Sequence, residues 1–260
     1  MLLLSALPAS ALPTQQLQLP TFVSSHMALQ RQPHHARLWG WTAPGRTVTV
    51  TLDNNYSSPV RGVANASGSW QVDLPPQPAG AGHTIAISDG NASSTRTLVD
   101  VAFGDIYLCS GQSNMEFSVN GAFNASSEIA DSINYPNLRL ATVRKAVADS
   151  PVVHAKSKAN YSWARSGPAA MVGAAGPQFS YFSATCYFFG REVYKALGGK
   201  VPIGLVASDW GGQRVECFSS ADALADTTCG GTRPAGSLEQ IAAAAEEEEE
   251  EEEEERRSRC

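Results

Sequence analysis

Three features that would assign whole classes of function are missing from the sequence. Beyond the first residues of the chain, no run is long and apolar enough to span a membrane as a helix. The five cysteines show no Cys-x-x-Cys or Cys/His spacing of the kind that holds zinc. Basic residues are not in excess, since 19 Lys and Arg stand against 25 Asp and Glu. These absences argue against a membrane span, a metal site and a nucleic-acid partner.

Negative charge is concentrated at one end of the chain. The formal charge is −6, and ten of the acidic residues form the single run 246–255. Such a block repels itself and buries no apolar surface, so residues 238–260 are predicted to be a disordered, Glu-rich, low-complexity tail. An interaction tail is the functional alternative. Without this tail the chain is nearly neutral, and 43% of its residues are hydrophobic, which is ample for a core.

Cysteine and asparagine patterns bear on the compartment. Cys109 and Cys186 lie in apolar patterns and are predicted to be small buried hydrophobes, whereas Cys217 and Cys229 could pair across a polar loop. Residues 1–18 resemble part of a signal peptide without its basic start. Together with five Asn-x-Ser glycosylation patterns, this predicts a secreted, lysosomal or vacuolar glycoprotein if the source is a eukaryote. The five candidate asparagines are Asn55, Asn65, Asn91, Asn124 and Asn160.

Short strand patterns fill residues 19–101. Runs rich in Val, Thr, Ile or Trp are separated by turns containing Gly, Pro or Asn, and residues 47–52 alternate as a half-buried strand does. Regular short strands with such turns predict a small β-sandwich domain. The predicted strands are residues 37–41, 47–52, 70–74, 84–88 and 97–103.

Strands alternate with helices over residues 102–237, which predicts an α/β domain with a mainly parallel sheet. The clearest helix is predicted over residues 179–197, ended by two glycines. Its apolar stripe comprises Phe182, Cys186, Phe189, Val193 and Leu197. The other predicted elements are strands at 106–109, 138–143 and 201–207 and a short helix at 125–133.

A strand, a glycine turn and a helix start follow one another at residues 106–117. The apolar run breaks at Ser110-Gly111 and resumes with residues able to open a helix, which leaves Ser113 at the corner. A sharp turn can push a hydroxyl out of the end of a sheet, while the helix start supplies N–H donors. Ser113 is therefore a candidate nucleophile. The alternative is a glycine turn whose serine caps the helix.

A second glycine turn follows the strand predicted at residues 201–207. It places Trp210, Gly211 and Gly212 at the carboxyl end of that strand, the edge where α/β sheets gather their ligands. Adjacent glycines can turn backbone N–H groups toward a developing oxyanion, provided that Ser113 ends a neighbouring parallel strand. A plain loop is the alternative.

The two glycine turns together resemble those of the sialate O-acetylesterases, a branch of the Gly-Asp-Ser-Leu-like (SGNH) esterases. The matching segments are Gly104-Asp-Ile-Tyr-Leu-Cys-Ser-Gly-Gln-Ser-Asn-Met-Glu-Phe117 and Ile203-Gly-Leu-Val-Ala-Ser-Asp-Trp-Gly-Gly212, and the resemblance extends from about residue 26 to 218. It implies a flavodoxin-like (SGNH hydrolase) domain at residues 102–237, preceded by the β-sandwich of residues 19–101. It also implies a carboxylic ester hydrolase that removes O-acetyl groups from sialic acid or another acetylated sugar, with no cofactor.

The same resemblance implies roles for residues of the two turns. Ser113 would attack the acetyl carbonyl and form an acyl-enzyme that water then clears. The N–H groups of Ser113 and of Gly211 or Gly212 would bind the tetrahedral oxyanion. Three further side chains would shape or support the pocket: Gln112, Asn114 and Trp210.

The sequence departs from the family in ways that leave the base unassigned. Gln213 replaces the threonine that usually follows Trp-Gly-Gly, and the family's later Gln-Gly-Glu segment and Asp/His pair are not found. All five histidines precede the second glycine turn, and His154 alone lies in the catalytic half, in a segment expected to be exposed. We therefore expect an incomplete catalytic domain with an exposed apolar sheet edge. The alternatives are a base supplied by a partner chain, a truncated gene model, or a non-catalytic carbohydrate-binding fragment or pseudoenzyme.

Overall fold

The structure, a computed structural model, describes residues 16–55, 57–143, 145–146, 163–172, 182–219 and 223. Residues 1–15 of the signal-like start lie outside the described residues, as do the Glu-rich tail, His154, Asn160 and Cys229. The strands are β1 (Ala28–Gln30), β2 (Ala36–Trp41), β3 (Thr47–Leu52), β4 (Val60–Val63), β5 (Ser69–Leu74), β6 (Gly80–Ser88), β7 (Arg96–Gly111), β8 (Leu138–Thr142), β9 (Ala164–Arg165) and β10 (Ile203–Asp209). The α-helices are α1 (Ser113–Glu116), α2 (Ala125–Asp131), α3 (Pro168–Met171) and α4 (Ala184–Ala196).

The chain divides into two compact units. Two segments from the predicted β-rich region, Pro20–Ala36 and Pro75–Thr84, group with Leu98–Cys260 in the second unit. For the first of these segments the reason is β1, which pairs in parallel with β7 from Ala28 opposite Ala102. The domain boundary near residue 101 stays a prediction. The first unit comprises Met1–Leu19, Arg37–Leu74 and Ile85–Thr97.

Antiparallel strands make up the first unit. β3 spans the predicted residues and pairs with β4 on one side and with the end of β6 on the other, while β2 pairs with β5. The alternation expected for β3 is present from Thr47 to Val50, where both valines are buried, but it ends at Thr51, which is also buried. A β-sandwich arrangement of these strands stays a prediction.

The second unit is mixed α/β with parallel strands at its centre, in agreement with the predicted fold class. β10 lies between β7 and β8 and runs parallel to both, and β9 is antiparallel to β8. The strands predicted at residues 97–103 and 106–109 are one strand, β7. It stays continuous through Gly104, where an added Cβ would lie 1.9 Å from the backbone oxygen of Pro202. The flavodoxin-like topology stays a prediction.

One face of β7 is covered and the other is open. Tyr107 packs edge-on against Phe189 of α4, with 5.1 Å between the ring centroids. Successive side chains on a strand point to opposite faces, and the intervening Ile106 and Leu108 are 43% and 68% exposed. The sheet therefore presents apolar side chains to solvent on this face, while the incomplete catalytic domain stays a prediction. No helix in the described part of the chain has the length and apolar character needed to cross a membrane.

The apolar stripe predicted for the long helix is wrong in part. α4 begins at Ala184, because the Ser183 hydroxyl accepts the N–H of Cys186 and caps the helix. Phe189 and Leu197, which were assigned to the stripe, are 46% and 39% exposed. The helix packs closely on β10 at Gly190, where a Cβ would lie 2.4 Å from Leu205 Cδ1. The buried helix residues are Ala184, Cys186, Tyr187 and Gly190.

Cys109 and Cys186 are buried, as predicted, but they form a disulfide that the sequence analysis did not predict. Their Cα atoms are 5.7 Å apart across a sequence separation of 77 residues. Spacing gave no indication of this pair, since it depends on which side of α4 faces the inner side of β7. The bond ties the strand that leads to Ser113 to the helix beneath it. Cys217 has a free thiol.

Candidate active site

Ser113 stands at a sharp corner after β7. Gly111 ends the strand with a φ of +150°, and a Cβ there would lie 3.3 Å from Met115 Cβ, so this turn favours glycine. Gln112 occupies the cap position of α1 and makes no side-chain capping bond, and Ser113 is the first helical residue. The serine is therefore not the helix cap. Its side chain is exposed, and its hydroxyl has no hydrogen-bond partner among the described residues.

The second glycine turn lies beside the first, as the sequence predicted for neighbouring parallel strands. Asp209, the last residue of β10, pairs in register with Gly111, and the Trp210 N–H donates to the Gly111 carbonyl at 3.0 Å. A Cβ on Gly211 would lie 3.8 Å from Ser113 Cβ. Gly212 has a φ of +74°, in the left-handed region that favours glycine.

Glu116 connects the two turns. Its Oε2 accepts the Gly211 N–H at 2.5 Å, and its Oε1 pairs with Lys145 Nζ at 2.7 Å. The Glu116 residue is only 7% exposed. Glu116 is part of the motif at residues 104–117, but the sequence alone did not indicate a role for it. A usable signal was its position three residues after Ser113, because that spacing puts both side chains on one side of a helical turn.

The side chains predicted to support the pocket have different surroundings. Trp210 lies beneath Lys145, whose Nζ is 5.6 Å from the ring centroid, and the indole N–H is buried without a partner among the described residues. Gln112 and Asn114 are exposed. The Asn114 carbonyl accepts a bond from Thr185 Oγ1 at 3.0 Å, which ties α1 to α4. Gln213 is buried.

Asp209 adds a second carboxyl to this end of the sheet. Burial and, to a lesser degree, the negative charge of Glu116 raise the pKa of Asp209 to about 6, although the positive charge of Lys145 opposes the shift. Two carboxyl groups therefore share one lysine near Ser113. Such a crowded, half-buried group is typical of functional sites.

Three of the four described histidines lie near the earlier part of β7, and the fourth, His35, follows His34 directly in the chain. His26 bonds to Asp100, His83 packs edge-on against Phe103, and His34 lines a cavity of about 480 Å³ that extends to Tyr107. Roughly 13 Å of strand separates Tyr107 from Gly111, and Ser113 lies beyond the end of that strand. Within the described residues the structure therefore brings no histidine to the serine. Nor do those residues contain a group of three or more His, Cys, Asp or Glu that could hold a metal ion.

Comparison with known proteins identifies the relatives of this chain. No family model matches it. Over 209 residues it is 36% identical to the sialate O-acetylesterase of Mus musculus and 34% identical to that of Homo sapiens. The chain is a homologue of the sialate O-acetylesterases. Each match covers 78% of this chain but only 38% or 39% of the relative, so the chain spans about two fifths of the length of these esterases.

A solved structure supports the same relationship. The crystal structure of a carbohydrate acetylesterase from Xanthomonas citri matches with a TM-score of 0.69 at 29% sequence identity. The match covers 81% of this chain and 44% of the bacterial enzyme. The resemblance to sialate O-acetylesterases inferred from the two glycine turns is thus confirmed, and the mixed α/β architecture is shared with a carbohydrate acetylesterase.

Proposed function

We propose that this chain carries the nucleophile end of a carboxylic ester hydrolase that removes O-acetyl groups from sialic acid or another acetylated sugar. The main observation is the exposed hydroxyl of Ser113, which has no hydrogen-bond partner within the described part of the chain and lies at a strand–turn–helix corner beside Gly211. The names of the relatives, sialate O-acetylesterases and a carbohydrate acetylesterase, support the substrate class. The finer fold, an SGNH flavodoxin-like domain after a β-sandwich, belongs to the same proposal.

The proposed reaction is a two-step acyl transfer. Ser113 Oγ attacks the acetyl carbonyl and gives its proton to a base, and the tetrahedral intermediate collapses to an acetyl-serine as the sugar hydroxyl leaves with a proton. Water then attacks the acetyl-serine, which releases acetate and restores the hydroxyl. In the intermediate the negative charge is on the former carbonyl oxygen, so the site needs N–H donors directed at that oxygen.

The hydrogen bonds of the second turn narrow the choice of donors. The sequence left Gly211 and Gly212 as alternatives to accompany the Ser113 N–H. The Gly211 N–H donates to Glu116, whereas the N–H groups of Gly212 and Ser113 have no acceptor among the described residues. We therefore assign the oxyanion to Ser113 and Gly212.

A second candidate function follows from the histidine positions. With no described histidine at Ser113, the base comes from His154, which lies outside the described residues, or from a partner chain, or it is absent. Without a base the serine is a weak nucleophile, since loss of one member of such a triad lowers the rate by about 10⁴- to 10⁶-fold. The chain would then be a non-catalytic, carbohydrate-binding fragment or pseudoenzyme.

Acetate release distinguishes the two functions. The wild type and Ser113→Ala are incubated with an O-acetylated sialic acid and with an acetylated xylan oligosaccharide, and acetate is measured. The esterase proposal expects release by the wild type that the variant loses. Equal release by both would show that Ser113 is not the nucleophile. A wild type that binds the sugar without releasing acetate would establish the binding function instead.

We propose a secreted, lysosomal or vacuolar location for the protein. The Cys109–Cys186 disulfide supports an oxidising compartment. Of the candidate glycosylation sites, Asn55, Asn65 and Asn124 are exposed and Asn91 is half-buried. Expression in eukaryotic cells followed by N-glycosidase treatment tests this location. A loss of mass at these asparagines is expected, and an unglycosylated protein with reduced cysteines would contradict it.

A further inference from the structure

We infer that Glu116 is a positioning residue whose carboxylate holds the Gly211-Gly212 turn against Ser113, so that the Gly212 N–H faces the reacting carbonyl. The inference rests on the proposed esterase function, because it explains how the second oxyanion donor is fixed. Glu116 touches no reacting atom and acts through the backbone of the turn.

Both carboxylate oxygens of Glu116 are engaged. One accepts the Gly211 N–H and the other pairs with Lys145, while the side chain is 6% exposed. A buried carboxylate is costly unless it is paired, and bonds to an ionised group are about twice as strong as neutral ones. The Gly211 peptide is therefore held by a charge-assisted bond to a carboxylate that is almost fully removed from solvent.

The geometry makes this bond specific to glycine at position 211. A Cβ there would lie 3.0 Å from Glu116 Oε2 and 3.7 Å from Ser113 Cα. Gly211 thus fits between the carboxylate and the serine, and a larger residue would displace one of them. The bond also leaves the next amide, that of Gly212, as the turn's available donor.

Lys145 holds the other side of the carboxylate. Its ammonium group pairs with Glu116 Oε1 and lies over the ring of Trp210. Trp210 immediately precedes Gly211 in the chain. Glu116 and Lys145 therefore both contact the Trp210-Gly211 segment, and Ser113 lies beside Gly211. An ion pair that served stability alone would not need the Gly211 N–H.

The test separates positioning from stability by following the Gly211 amide directly. Wild type, Glu116→Gln and Glu116→Ala are compared, with Glu192→Ala as the control, since Glu192 is an exposed glutamate that pairs with Lys195 on α4. Hydrogen exchange of the Gly211 amide is measured by NMR, together with thermal unfolding and the kcat and KM for acetate release.

Glu116→Ala is expected to speed exchange at Gly211 by about tenfold or more, and to lower kcat by about 10- to 100-fold with KM changed by less than about twofold. Glu116→Gln is expected to fall between this variant and the wild type, because its amide oxygen can still accept the Gly211 N–H. The Gly211 proton resonance should move upfield in this variant, as its acceptor has lost its charge. Glu192→Ala should match the wild type.

An unchanged Gly211 exchange rate in folded Glu116→Ala would overturn the inference. If that variant does not fold, an unmoved Gly211 resonance in Glu116→Gln would overturn it equally. A wild type without acetate release would count against the esterase proposal alone, because the exchange measurement needs no activity. Faster exchange with an unchanged kcat would reduce Glu116 to a structural residue.

Discussion

The two ends of β7 hold carboxylates in opposite electrostatic settings. At the start of the strand, Asp100 accepts bonds from Arg139 Nη1 at 2.5 Å, Arg165 Nε at 2.6 Å and His26 Nδ1 at 2.8 Å. Burial favours a raised pKa for Asp100, but the hydrogen bonds from these three side chains outweigh it and hold the pKa well below its usual range. The three partners of Asp100 therefore stabilise its ionised form by more than burial destabilises it.

At the far end of the strand, two carboxyl groups compete for one cation. Lys145 pairs with Glu116, and Asp209 is left half-buried with a raised pKa. The exposed hydroxyl of Ser113 lies at the same end of the strand. The comparison indicates that the start of β7 serves stability, whereas its end keeps groups in an unfavourable setting, as functional sites commonly do.

The start of β7 should be the more costly end to break. Asp100→Ala leaves Arg139, which is 1% exposed, as a buried charge without its carboxylate. Removing one partner of a buried pair costs about 3–5 kcal/mol. We expect a loss of this size in the free energy of unfolding, measured by urea denaturation. A loss below about 1 kcal/mol would show that the cluster is not a stabilising feature.

The disulfide beneath the far end should come next in size. Replacing both Cys109 and Cys186 by Ala opens a closure of 77 residues and should cost about 2–4 kcal/mol in the free energy of unfolding. Denaturation of the double variant measures this loss. The control is Cys217→Ala, which removes a cysteine that is not in a disulfide. An equal loss in both variants would argue against a specific role for the bond.

Asp209 and Asp100 should make the free energy of unfolding depend on pH in opposite directions. Because the folded pKa of Asp209 is about 6, above the unfolded value, the stability it allows is fully present at low pH and falls as pH rises from about 4 to 6. In the wild type the free energy of unfolding should fall by about 1–3 kcal/mol over this pH range, and Asp209→Asn should remove that fall. Unfolding curves from pH 4 to 7 test this, and parallel curves for wild type and variant would contradict it.

Asp100 should behave in the opposite way. Its folded pKa is depressed, so its contribution is present above the unfolded pKa and is lost only as pH falls toward the folded value. Asp100→Asn should therefore lower stability evenly across pH 4.5 to 7, with the wild-type and variant curves converging below about pH 4. Convergence within the neutral range would contradict the pairing.

A smaller effect is expected from the second turn. Gly211→Ala adds a methyl group 3.0 Å from Glu116 Oε2, which forces a shift that should cost about 1 kcal/mol of stability. The same shift should lower kcat, as the Gly212 amide moves from the oxyanion. Thermal unfolding and acetate release measure the two effects, and Gly198→Asn, at a left-handed position after α4, serves as the control. Full activity in Gly211→Ala would show that the turn accepts a side chain at position 211 without moving the Gly212 amide, which would contradict this prediction.

The adjacency of the two glycine turns could be predicted, because both follow strands of one parallel sheet and residue order places Ser113 and Gly211 at the same edge. The contact that joins them could not. Glu116 and Gly211 are 95 residues apart, and only the register of Asp209 opposite Gly111 brings them together. Sequence spacing carries no information on that register.

Burial explains the remaining differences from prediction. The stripe of α4 was assigned by apolar character, which favoured Phe189 over Gly190, whereas close packing on Leu205 selects the glycine. The Cys109–Cys186 bond and the Asp100 cluster likewise depend on pairings between distant segments. Local patterns predicted the elements, while tertiary contacts decided which faces meet.

Trapping the acyl-enzyme tests the central claim most directly. The wild type and Ser113→Ala are mixed with an activated acetyl ester, quenched in acid, digested and mapped by mass spectrometry. The account predicts a single acetyl group on the peptide containing Ser113 in the wild type, and none on that peptide in the variant. Acetate release without an adduct at Ser113, or an adduct that persists in the variant at another residue, would contradict it.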